Sequence, residues 1–416
     1  MGGLSTETAA QVADEVADEV LLARAFLSRV GEPCNIPMWA FVRKAGAVDA
    51  ARAIAAGRAP EEVQKHAAPR LAEADPWADL ETAAALGVRL VVPESDRWPH
   101  FGLACLEFAA EVRLGTYRAG RRSHENYGEP IPPLALWAKG PGDPSTLGHR
   151  TVGMVGSRAC TQYGEHVATQ WSYELAQQGV TVISGGAYGI DACAHRGALA
   201  AEGDTVLISA AGLDRPYPPG NARLFDRVAE RGLLISEGPP GMAPHRHRFL
   251  MRNRLIAALS SGTVIVEAAR RSGAANTASH CQRLGRPLMA VPGPVTSAMS
   301  AGCHELIRRE SDPALLVASS AEILAVVGSP GEGMPDPGDA RTTDIRAELD
   351  RLDPAARRVF EGLTAGKFSR PDEIALRAGI APLEVFRALP TLELADLVEV
   401  GEAGYRVAAR VRDELK

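Results

Sequence analysis

Short apolar runs rich in β-branched residues recur through the middle of the chain, every 24 to 30 residues. Between them the apolar residues follow helical spacing, as at Val167, Trp171 and Leu175, which places one apolar stripe against a sheet. Strands that alternate with helices need crossover connections, and therefore form a parallel sheet covered on both faces. The pattern predicts an α/β, Rossmann-like domain over residues 151–325. Its strands are expected at residues 152–155, 180–184, 205–209, 233–236, 263–267 and 287–291.

The first hundred residues have a different pattern, with alanine-rich helical stretches separated by short breaks. The breaks contain glycine or proline and lie at residues 31–33, at Gly46 and at residues 57–60. They predict an N-terminal helical domain over residues 1–110. Residues 111–150 begin with several arginines, and Pro130, Pro132 and Pro133 come after these arginines within the same segment. We interpret them as an irregular or helical insertion and lead-in segment before the sheet.

The composition changes again after the predicted sheet. Residues 328–344 contain four glycines and three prolines in 17 positions, a composition that cannot bury a core. We therefore expect a linker over residues 326–345. Helical patterns at residues 354–363, 370–378 and 382–394 then precede two short runs around Gly401 and Gly404. This order predicts a winged-helix domain over residues 346–416.

The third helical pattern of that domain is poorly suited to reading duplex DNA. It carries Arg387 against Glu384, Glu393 and Asp396, and Pro390 is expected to interrupt it. A recognition helix in a major groove needs positive charge and a continuous backbone. We expect a protein contact or a regulatory lid here.

The 416 residues carry a formal net charge of −6, which by itself argues against a nucleic-acid-binding protein. The distribution of charge reverses that interpretation. Residues 238–304 hold eight arginines, no lysine and the single acid Glu267, a net charge of +7, so the remaining chain carries −13. A basic block in an acidic chain indicates one surface for an anionic partner, and a phosphate chain fits best. Arginines spread over solvated helix faces are the alternative.

Composition also excludes other classes of protein. No apolar run approaches the roughly 20 residues of a membrane span, and the first thirty residues carry Asp14, Glu15, Asp18 and Glu19 where a signal peptide would be basic. The six cysteines include no C-x-x-C pair, so neither a disulfide framework nor a zinc ribbon is supported. We expect a cytoplasmic protein with no cofactor, no metal site and no membrane partner.

The residues that follow the predicted strands are small, hydroxylic or basic. Gly156-Ser157-Arg158 follows the first strand, glycines at 185, 186 and 189 follow the second, and Arg270 with Ser272-Gly273 follows the fifth. Small residues let backbone N–H groups approach an anion, a helix N-terminus adds a favourable dipole, and arginine offers phosphate a forked donor. Ligands of open parallel sheets bind outside the carboxyl ends of the strands, so these turns predict one anion-binding edge.

After the fourth strand the chain reads His245-Arg246-His247-Arg248-Phe249 and continues to Arg252-Asn253-Arg254. The two histidines could form a metal pair, but no third ligand is nearby and arginines flank both, which favours a phosphate-tracking loop and helix start. Phe249 is either a stacking platform for a base or a core anchor, and its apolar neighbours favour the core. Earlier in the chain, Asp191 suits a helix N-cap and His195 a packing position.

Together these motifs resemble the DNA processing protein A family, DprA, also called Smf. The resemblance covers residues 151–310 and implies an extended Rossmann domain that binds single-stranded DNA and forms a homodimer. It further implies protection of incoming DNA and loading of RecA recombinase in natural transformation or DNA recombination. The matching blocks are Val155-Gly156-Ser157-Arg158, residues 184–191 with Ala194-His195, Gly212-Leu213-Asp214 with Tyr217-Pro218, Ser236-Glu237, Arg252-Asn253-Arg254, Val266-Glu267-Ala268 with Ser272-Gly273, Thr277-Ala278, Gly285-Arg286 and Val291-Pro292-Gly293.

The resemblance also implies roles for single residues. Arg158, Arg252 and Arg254 become phosphate contacts, the glycines shape the groove, and Glu267 and Asp191 become architectural. Leu250 departs from the proline that the family usually has, Cys281 replaces a small residue, and residues 113–129 look like extra length. The predicted DNA-binding residues are Gly156, Ser157, Arg158, Gly185, Gly186, Gly189, Arg246, Arg248, Arg252, Asn253, Arg254, Arg270, Ser272, Gly273 and Thr277. The N-terminal domain faintly resembles helix-hairpin-helix modules.

An enzyme is the competing hypothesis. Related extended Rossmann folds include nucleotide phosphoribohydrolases, in which an arginine and a glutamate cleave a nucleoside monophosphate, and Glu267 near Arg270 could take those roles. Those enzymes resemble P-G-G-x-G-T-x-x-E, whereas here the glutamate precedes a Ser-Gly turn. The chain also lacks the G-x-G-x-x-G fingerprint and Walker spacing. We therefore favour a binding protein without catalytic residues, and a nucleotide-sensing module fits the same pocket.

Overall fold

In the computed structural model of this protein, the apolar runs between residues 151 and 291 form six parallel strands of one sheet. Both faces of these strands are buried, which explains why the runs lack polar alternation. Within the described residues the sheet has nine strands, β1 Val88–Val91, β2 Leu136–Lys139, β3 Thr151–Val155, β4 Thr181–Ser184, β5 Thr205–Ser209, β6 Leu233–Ser236, β7 Gly262–Ile265, β8 Leu288–Ala290 and β9 Leu315–Leu316. Their order is β1-β2-β6-β5-β4-β3-β7-β8-β9. The predicted Rossmann-like α/β fold is confirmed.

The structure describes residues 16–118, 128–270, 272–329, 349, 352–401 and 403–414. The chain divides into two compact units, residues 1–334 and residues 335–416. The start of the predicted N-terminal domain, part of the predicted insertion, Arg271 and most of the predicted linker lie outside the described residues. Among the described helices, none is both long enough and apolar enough to span a bilayer.

Helices cover both faces of the sheet, as the crossover connections require. Alternate residues of a strand enter opposite cores: Val182 faces the core that includes Val167 and Leu175, whereas Ile183 faces the core that includes Leu259. The helices of this unit are α1 Asp18–Val30, α2 Ile36–Ala45, α3 Ala47–Ala55, α4 Glu61–Leu71, α5 Pro76–Ala85, α6 His100–Arg118, α7 Gln162–Gln177, α8 Ile190–Ala200, α9 Ala222–Arg231, α10 Arg246–Leu259, α11 Gly273–Arg283, α12 Ala301–Ile307 and α13 Ser320–Val327.

The N-terminal helices begin where local sequence favours a cap. Asn35 accepts a hydrogen bond of 2.8 Å from the backbone N–H of Met38, and Asp75 accepts one of 3.1 Å from Ala78. In both helices proline occupies one of the first two positions, where its missing N–H costs nothing. Helices α1 to α4 enclose an apolar cluster of their own around Leu27 and Ile54.

Two strands lie in segments that the sequence predicted to be helical or irregular. β1 pairs antiparallel with β2, and β2 pairs antiparallel with β6, so residues before the predicted Rossmann block extend its sheet. Arg89 of β1 donates hydrogen bonds of 2.7 and 2.6 Å to the carbonyl oxygens of Gly140 and Gly142, which follow β2. A four-residue apolar run cannot be distinguished from a helical turn by its periodicity.

Within its described residues the C-terminal unit contains three helices followed by a hairpin, the order predicted for a winged helix, and a fourth helix after the hairpin. The elements are α14 Pro354–Glu361, α15 Pro371–Ala378, α16 Pro382–Leu394, β10 Val398–Gly401, β11 Gly404–Val407 and α17 Ala409–Glu414. They share one apolar core around Val359, Ile374 and Leu392. The predicted interruption at Pro390 is wrong, because α16 continues through this residue. Phe386, whose carbonyl lacks its helical donor, lies on the exposed side of α16, where water can replace that donor.

Arg254 of α10 is buried in the first unit. Its guanidinium forms a bidentate ion pair with Glu237, with both N–O distances 2.6 Å, and its Nε donates to the carbonyl oxygen of Ile131 at 2.8 Å. The side chain is fully inaccessible to solvent. The predicted phosphate contact at Arg254 is therefore corrected to a structural ion pair, which ties α10 to the end of β6 and to the segment before β2.

We expect the Glu237→Ala variant to lower the free energy of unfolding by about 3–5 kcal/mol, because it leaves a buried guanidinium without its counterion. Urea denaturation followed by circular dichroism measures the change. The control is Glu230→Ala, an exposed position on α9, which should change stability by no more than about 0.5 kcal/mol. Equal stability of the two variants would contradict this account of the pair.

Candidate nucleic-acid interface

The sheet grows in two directions from β3. β4, β5 and β6 extend it to one side, and β7 and β8 extend it to the other. At such a switch point the loops that leave the central strands diverge and open a crevice at the carboxyl edge. A cleft of about 820 Å³ lies there, walled by the β3 loop, the β4 loop, the first turns of α10 and the turn before α11.

Most of the predicted site residues meet at this cleft. Its described lining holds three arginines and one acid, Asp191. Gly185, Gly186 and Gly189 form the adjoining turn between β4 and α8, and Arg270 is exposed after β7. Arg248 and Arg254 are bound to carboxylates elsewhere. The predicted residues that line the cleft are Gly156, Ser157, Arg158, Arg246, Arg252, Asn253, Ser272, Gly273 and Thr277.

The loop after β3 is joined to its neighbours through backbone groups. The N–H of Ser157 donates to the carbonyl oxygen of Glu267 at 2.7 Å, and the N–H of Ile190 donates to the carbonyl oxygen of Ser157 at 3.1 Å. A Cβ at Gly156 would lie 2.7 Å from the Ile190 side chain and 2.8 Å from the Glu267 carbonyl oxygen. Glycine therefore allows three loops to meet, and Arg158 is left exposed at the mouth of the cleft.

The turn between β4 and α8 depends on glycine at two positions with positive φ, Gly186 at +68° and Gly189 at +75°. A side chain at Gly189 would also collide with the carbonyl oxygens of Ser157 and Arg158. Gly189 is the N-cap of α8, so the predicted N-cap at Asp191 is wrong. Asp191 lies in the first helical turn instead, and its carboxylate accepts a 3.4 Å hydrogen bond from the N–H of Ala187.

Arg252 connects α10 to the edge of the sheet. Its Nη1 donates to the carbonyl oxygen of Gly185 at 2.8 Å and also to that of Ile208 in β5. Its Nε donates to the Oδ1 of Asn253 at 3.2 Å. Burial lowers the pKa of Arg252 to about 10, while the charge of Asp191 acts in the opposite direction. Burial likewise raises the pKa of Asp191, and Arg252 opposes that change. The two opposite charges thus stabilise each other in the wall of the cleft.

Phe249 lies beside two arginines of the cleft. The guanidinium carbon of Arg158 is 5.6 Å from the centre of its ring, and that of Arg252 is 6.0 Å away. The ring of Tyr217 approaches Phe249 at 5.3 Å with a tilt of 53°. Phe249 is half-buried and lines the cleft, so it is not enclosed in the core as its apolar neighbours predicted. The arrangement presents an aromatic surface beside cations.

The turn before α11 supplies the opposite wall. Ser272, Gly273 and Thr277 line the cleft where this 11-residue helix begins. Asn276 accepts a 3.1 Å hydrogen bond from the Nδ2 of Asn253, which connects α11 to α10. A helix N-terminus carries partial positive charge and unpaired N–H groups, so this wall also favours an anion.

Glu267, which follows β7, connects this strand end to the start of α7. Its Oε2 accepts a hydrogen bond of 2.8 Å from the N–H of Thr161, and its Oε1 accepts one of 2.6 Å from the Thr161 hydroxyl. Thr161 is the N-cap of α7. Glu267 is buried, with 1% of its surface exposed. These contacts agree with the architectural role expected for this residue.

Arg248 and the histidine pair His245 and His247, all noted in the sequence, do not line the cleft. Arg248 donates to both carboxylate oxygens of Glu32, at 2.8 and 3.1 Å, so it joins α10 to the N-terminal helices. His245 and His247 stack with ring centres 5.7 Å apart, and His247 lies 3.1 Å from Glu32. No group of three metal-ligating side chains occurs among the described residues.

Tyr217 and Met299 also line the cleft although the sequence predicts no role for them, whereas His195 is buried as expected. Tyr217 belongs to a Tyr-Pro motif whose sequence indicates no binding role by itself. Met299 follows β8 in a loop whose sequence gives no signal of a binding site. His195 is buried, and its Nδ1 lies 2.7 Å from the hydroxyl of Thr205. Burial lowers the pKa of His195 to about 3, as expected for a packing histidine.

A family model and a relative of similar length point to one family. The sequence model described as DNA recombination-mediator protein A matches residues 123–328. A protein of Mycobacterium tuberculosis named for DNA processing protein DprA is 44% identical over 394 residues, which is 94% of this chain and 95% of that protein.

Solved structures extend the comparison. The X-ray structure of DprA from Streptococcus pneumoniae is 26% identical, with a TM-score of 0.57 over 75% of this chain and 99% of that one. A structure of DNA processing protein A from Helicobacter pylori, described as showing a unique single-stranded DNA binding mode, is 30% identical over 46% of this chain and 86% of that one, with a TM-score of 0.43. The resemblance seen in the motifs is thus confirmed, and the chain belongs to the DprA family of DNA recombination-mediator proteins.

Proposed function

We propose that the cleft at the carboxyl edge of the sheet binds single-stranded DNA, and that the protein serves DNA recombination or natural transformation. The observation that carries the proposal is Phe249 on the cleft wall, with the guanidiniums of Arg158 and Arg252 within about 6 Å of its ring. Single strands are held by cations that follow the backbone and by aromatic rings on which bases stack. Both components are present at one place in this cleft.

The chemistry favours a single strand over a duplex. A base can stack on Phe249 only if it is unpaired, since paired bases hide their faces in the helical stack. When a base occupies the ring, Arg158 is displaced toward the neighbouring phosphate, which it can bind bidentately. Arg246 is exposed at the start of α10 and supplies a second phosphate contact. Phosphates and base faces are common to all nucleotides, so little sequence preference is expected.

The proposal extends to the protein's role with DNA, its partners, its oligomeric state and its location. Within it, the protein protects incoming DNA, loads RecA recombinase, forms a homodimer and resides in the cytoplasm. Family membership supports these assignments. Arg158 and Arg246 are the proposed phosphate contacts, and Arg252 is proposed to hold Phe249 beside them. The glycines at 156, 185, 186 and 189 let the loops approach the strand. Arg270, Ser272, Gly273 and Thr277 are proposed to complete the opposite wall.

A binding role suits this chain better than phosphoribohydrolase activity. The enzyme hypothesis assigns Glu267 to acid–base chemistry next to Arg270. Both carboxylate oxygens of Glu267 are bonded to Thr161, and the side chain is buried behind the β3 loop. A general base needs a free oxygen within reach of substrate, so the contacts of Glu267 support a framework role.

The Arg158→Ala and Arg246→Ala variants are each expected to bind oligothymidine at least about tenfold more weakly, since a charge-assisted hydrogen bond is worth about 1.5–3 kcal/mol. Loss of one phosphate contact should also reduce the slope of log K against log salt by about 0.7. Fluorescence anisotropy across a salt series measures both quantities. Arg227→Ala is the matched control, because Arg227 is exposed on α9 outside the cleft. If all three variants bind like the unmodified protein, the cleft is not the DNA site.

The Phe249→Leu variant separates stacking from charge. Stacking is worth about 1–3 kcal/mol per base, so affinity should fall roughly 5- to 150-fold. The salt slope should stay unchanged because no charge is removed, and Phe249→Tyr should retain affinity. Thermal unfolding is the companion measurement: normal DNA affinity combined with a lowered melting temperature would identify Phe249 as a core anchor instead.

A further inference from the structure

Two tyrosines near Phe249 keep much of their surface exposed. Tyr217 is 43% exposed and Tyr188 is 48% exposed. Tyr217 belongs to the loop between β5 and α9, and Tyr188 belongs to the turn between β4 and α8. Neither ring is a member of an apolar cluster in the part of the chain that the structure describes. Packing of the core therefore does not account for them.

The two tyrosines continue a row that begins at Phe249. The ring centre of Tyr217 lies 5.3 Å from that of Phe249. Tyr188 lies against Gly220, three residues after Tyr217, where an added Cβ would be 2.6 Å from the Tyr188 hydroxyl oxygen and 3.2 Å from a ring carbon. Glycine at position 220 thus leaves room for the ring. The aromatic row of Phe249, Tyr217 and Tyr188 leads from the cleft wall over the β5 loop to the turn after β4.

Asn221 joins the two loops that carry the tyrosines. Its Nδ2 donates to the carbonyl oxygen of Gly186 at 3.0 Å and to that of Ala187 at 3.2 Å. Asn221 is buried, with 3% of its surface exposed, and it is the N-cap of α9. The β5 loop is therefore bonded to the residue that precedes Tyr188. Side chains on a fixed frame lose less conformational entropy when a ligand covers them.

The spacing of the rings suits bases that are separated from one another. Neighbouring nucleotides of one strand in B-DNA are about 3.4 Å apart along the axis. The rings of Phe249 and Tyr217 are 5.3 Å apart and tilted by 53°. Bases on these two rings face different directions and cannot remain stacked on each other. A single strand can separate its bases in this way, whereas a duplex cannot.

A cation accompanies the row. Arg215, two residues before Tyr217, has a side chain that is 56% exposed and lies 3.3 Å from Asp214. The Asp214 carboxylate also accepts a 2.8 Å hydrogen bond from the N–H of Gly241. Exposed ion pairs are weak, and Asp214 keeps this second partner when the Arg215 guanidinium turns toward a phosphate. Aromatic rings beside exposed cations are the features that hold a single strand.

We propose that the single strand leaves the cleft over the β5 loop, where Tyr217 and Tyr188 stack the bases that follow the one on Phe249. This proposal rests on the proposed function, because it takes Phe249 as the first base platform. The aromatic row sets the path of the strand and gives the site three stacked base positions. Stacking reads no base edge, so the added positions keep binding independent of sequence.

Abasic substitution along an oligothymidine tests the number of stacked positions. The probe is the shortest oligothymidine that binds with full affinity, so that it cannot slip past the abasic nucleotide. With the unmodified full-length protein, removing the base at any of three positions should weaken binding roughly 5- to 150-fold, the range expected for one stacked base. Fluorescence anisotropy measures each affinity. A profile with only one sensitive position would overturn the proposal.

The Tyr188→Leu variant assigns one of these positions to its ring. It should bind the intact oligothymidine roughly 5- to 150-fold more weakly, and abasic substitution at one end of the sensitive stretch should then have no further effect. Phe249→Leu should silence the opposite end. Tyr188→Phe keeps the ring and should match the unmodified protein. Trp77→Leu is the matched control, because Trp77 is 45% exposed on α5 and does not line the cleft.

The variants also separate this proposal from the proposed function. If Phe249→Leu weakens binding while Tyr188→Leu keeps full affinity and all sensitive positions, the strand does not follow the aromatic row, although the cleft remains the DNA site. If Phe249→Leu and the arginine variants of the cleft all bind like the unmodified protein, both proposals fail. Thermal unfolding verifies that Tyr188→Leu is folded at the assay temperature. The abasic profile of the unmodified protein tests the three positions without any variant.

Discussion

The buried guanidinium of Arg252 is the contact on which the cleft depends. It reaches from α10 to the carbonyl oxygens of Gly185 and Ile208, at the carboxyl ends of two neighbouring strands. Burying such a charge is unfavourable unless donors and counterions are satisfied. The strand-end carbonyls and the nearby charge of Asp191 meet that requirement. Because Arg252 fixes α10 against the sheet, Phe249, one turn earlier, is held at the cleft wall.

Arginines of one short helix have three different physical roles. Arg248 is bound to Glu32 of the N-terminal region, Arg254 to Glu237 of the sheet, and Arg252 to backbone carbonyls beside the cleft. The basic block of residues 238–304 therefore carries more positive charge than is available to a ligand. The exposed guanidiniums that line the cleft, those of Arg158 and Arg246, act over a Debye length of about 8 Å. A net negative chain can thus hold a locally positive cleft.

Strands β1 and β2 join the N-terminal region to the sheet that carries the cleft. β1 and β2 continue the sheet beyond β6, and Glu32 forms ion pairs with Arg70 and Arg248. Burial acts to raise the pKa of Glu32, but the hydrogen bond and charge of Arg248, the charge of Arg70 and the hydrogen bond of His247 together lower it. A helical region that looked like an independent module is connected by ion pairs to the helix that carries Phe249.

The sequence by itself determined the parallel sheet and the edge at which the site forms. Strands buried on both faces appear in the sequence as short continuous apolar runs, and parallel strands end on the same side of the sheet, so the turns after β3, β4 and β7 had to converge. Tertiary structure decided which arginines stay available, since Arg158 and Arg246 are exposed whereas Arg248, Arg252 and Arg254 are buried among their bonding partners. It also decided the strands β1 and β2, whose short runs become strands only through pairing with distant partners. Long-range pairing and burial depend on contacts between residues far apart in the chain, and no local pattern encodes them.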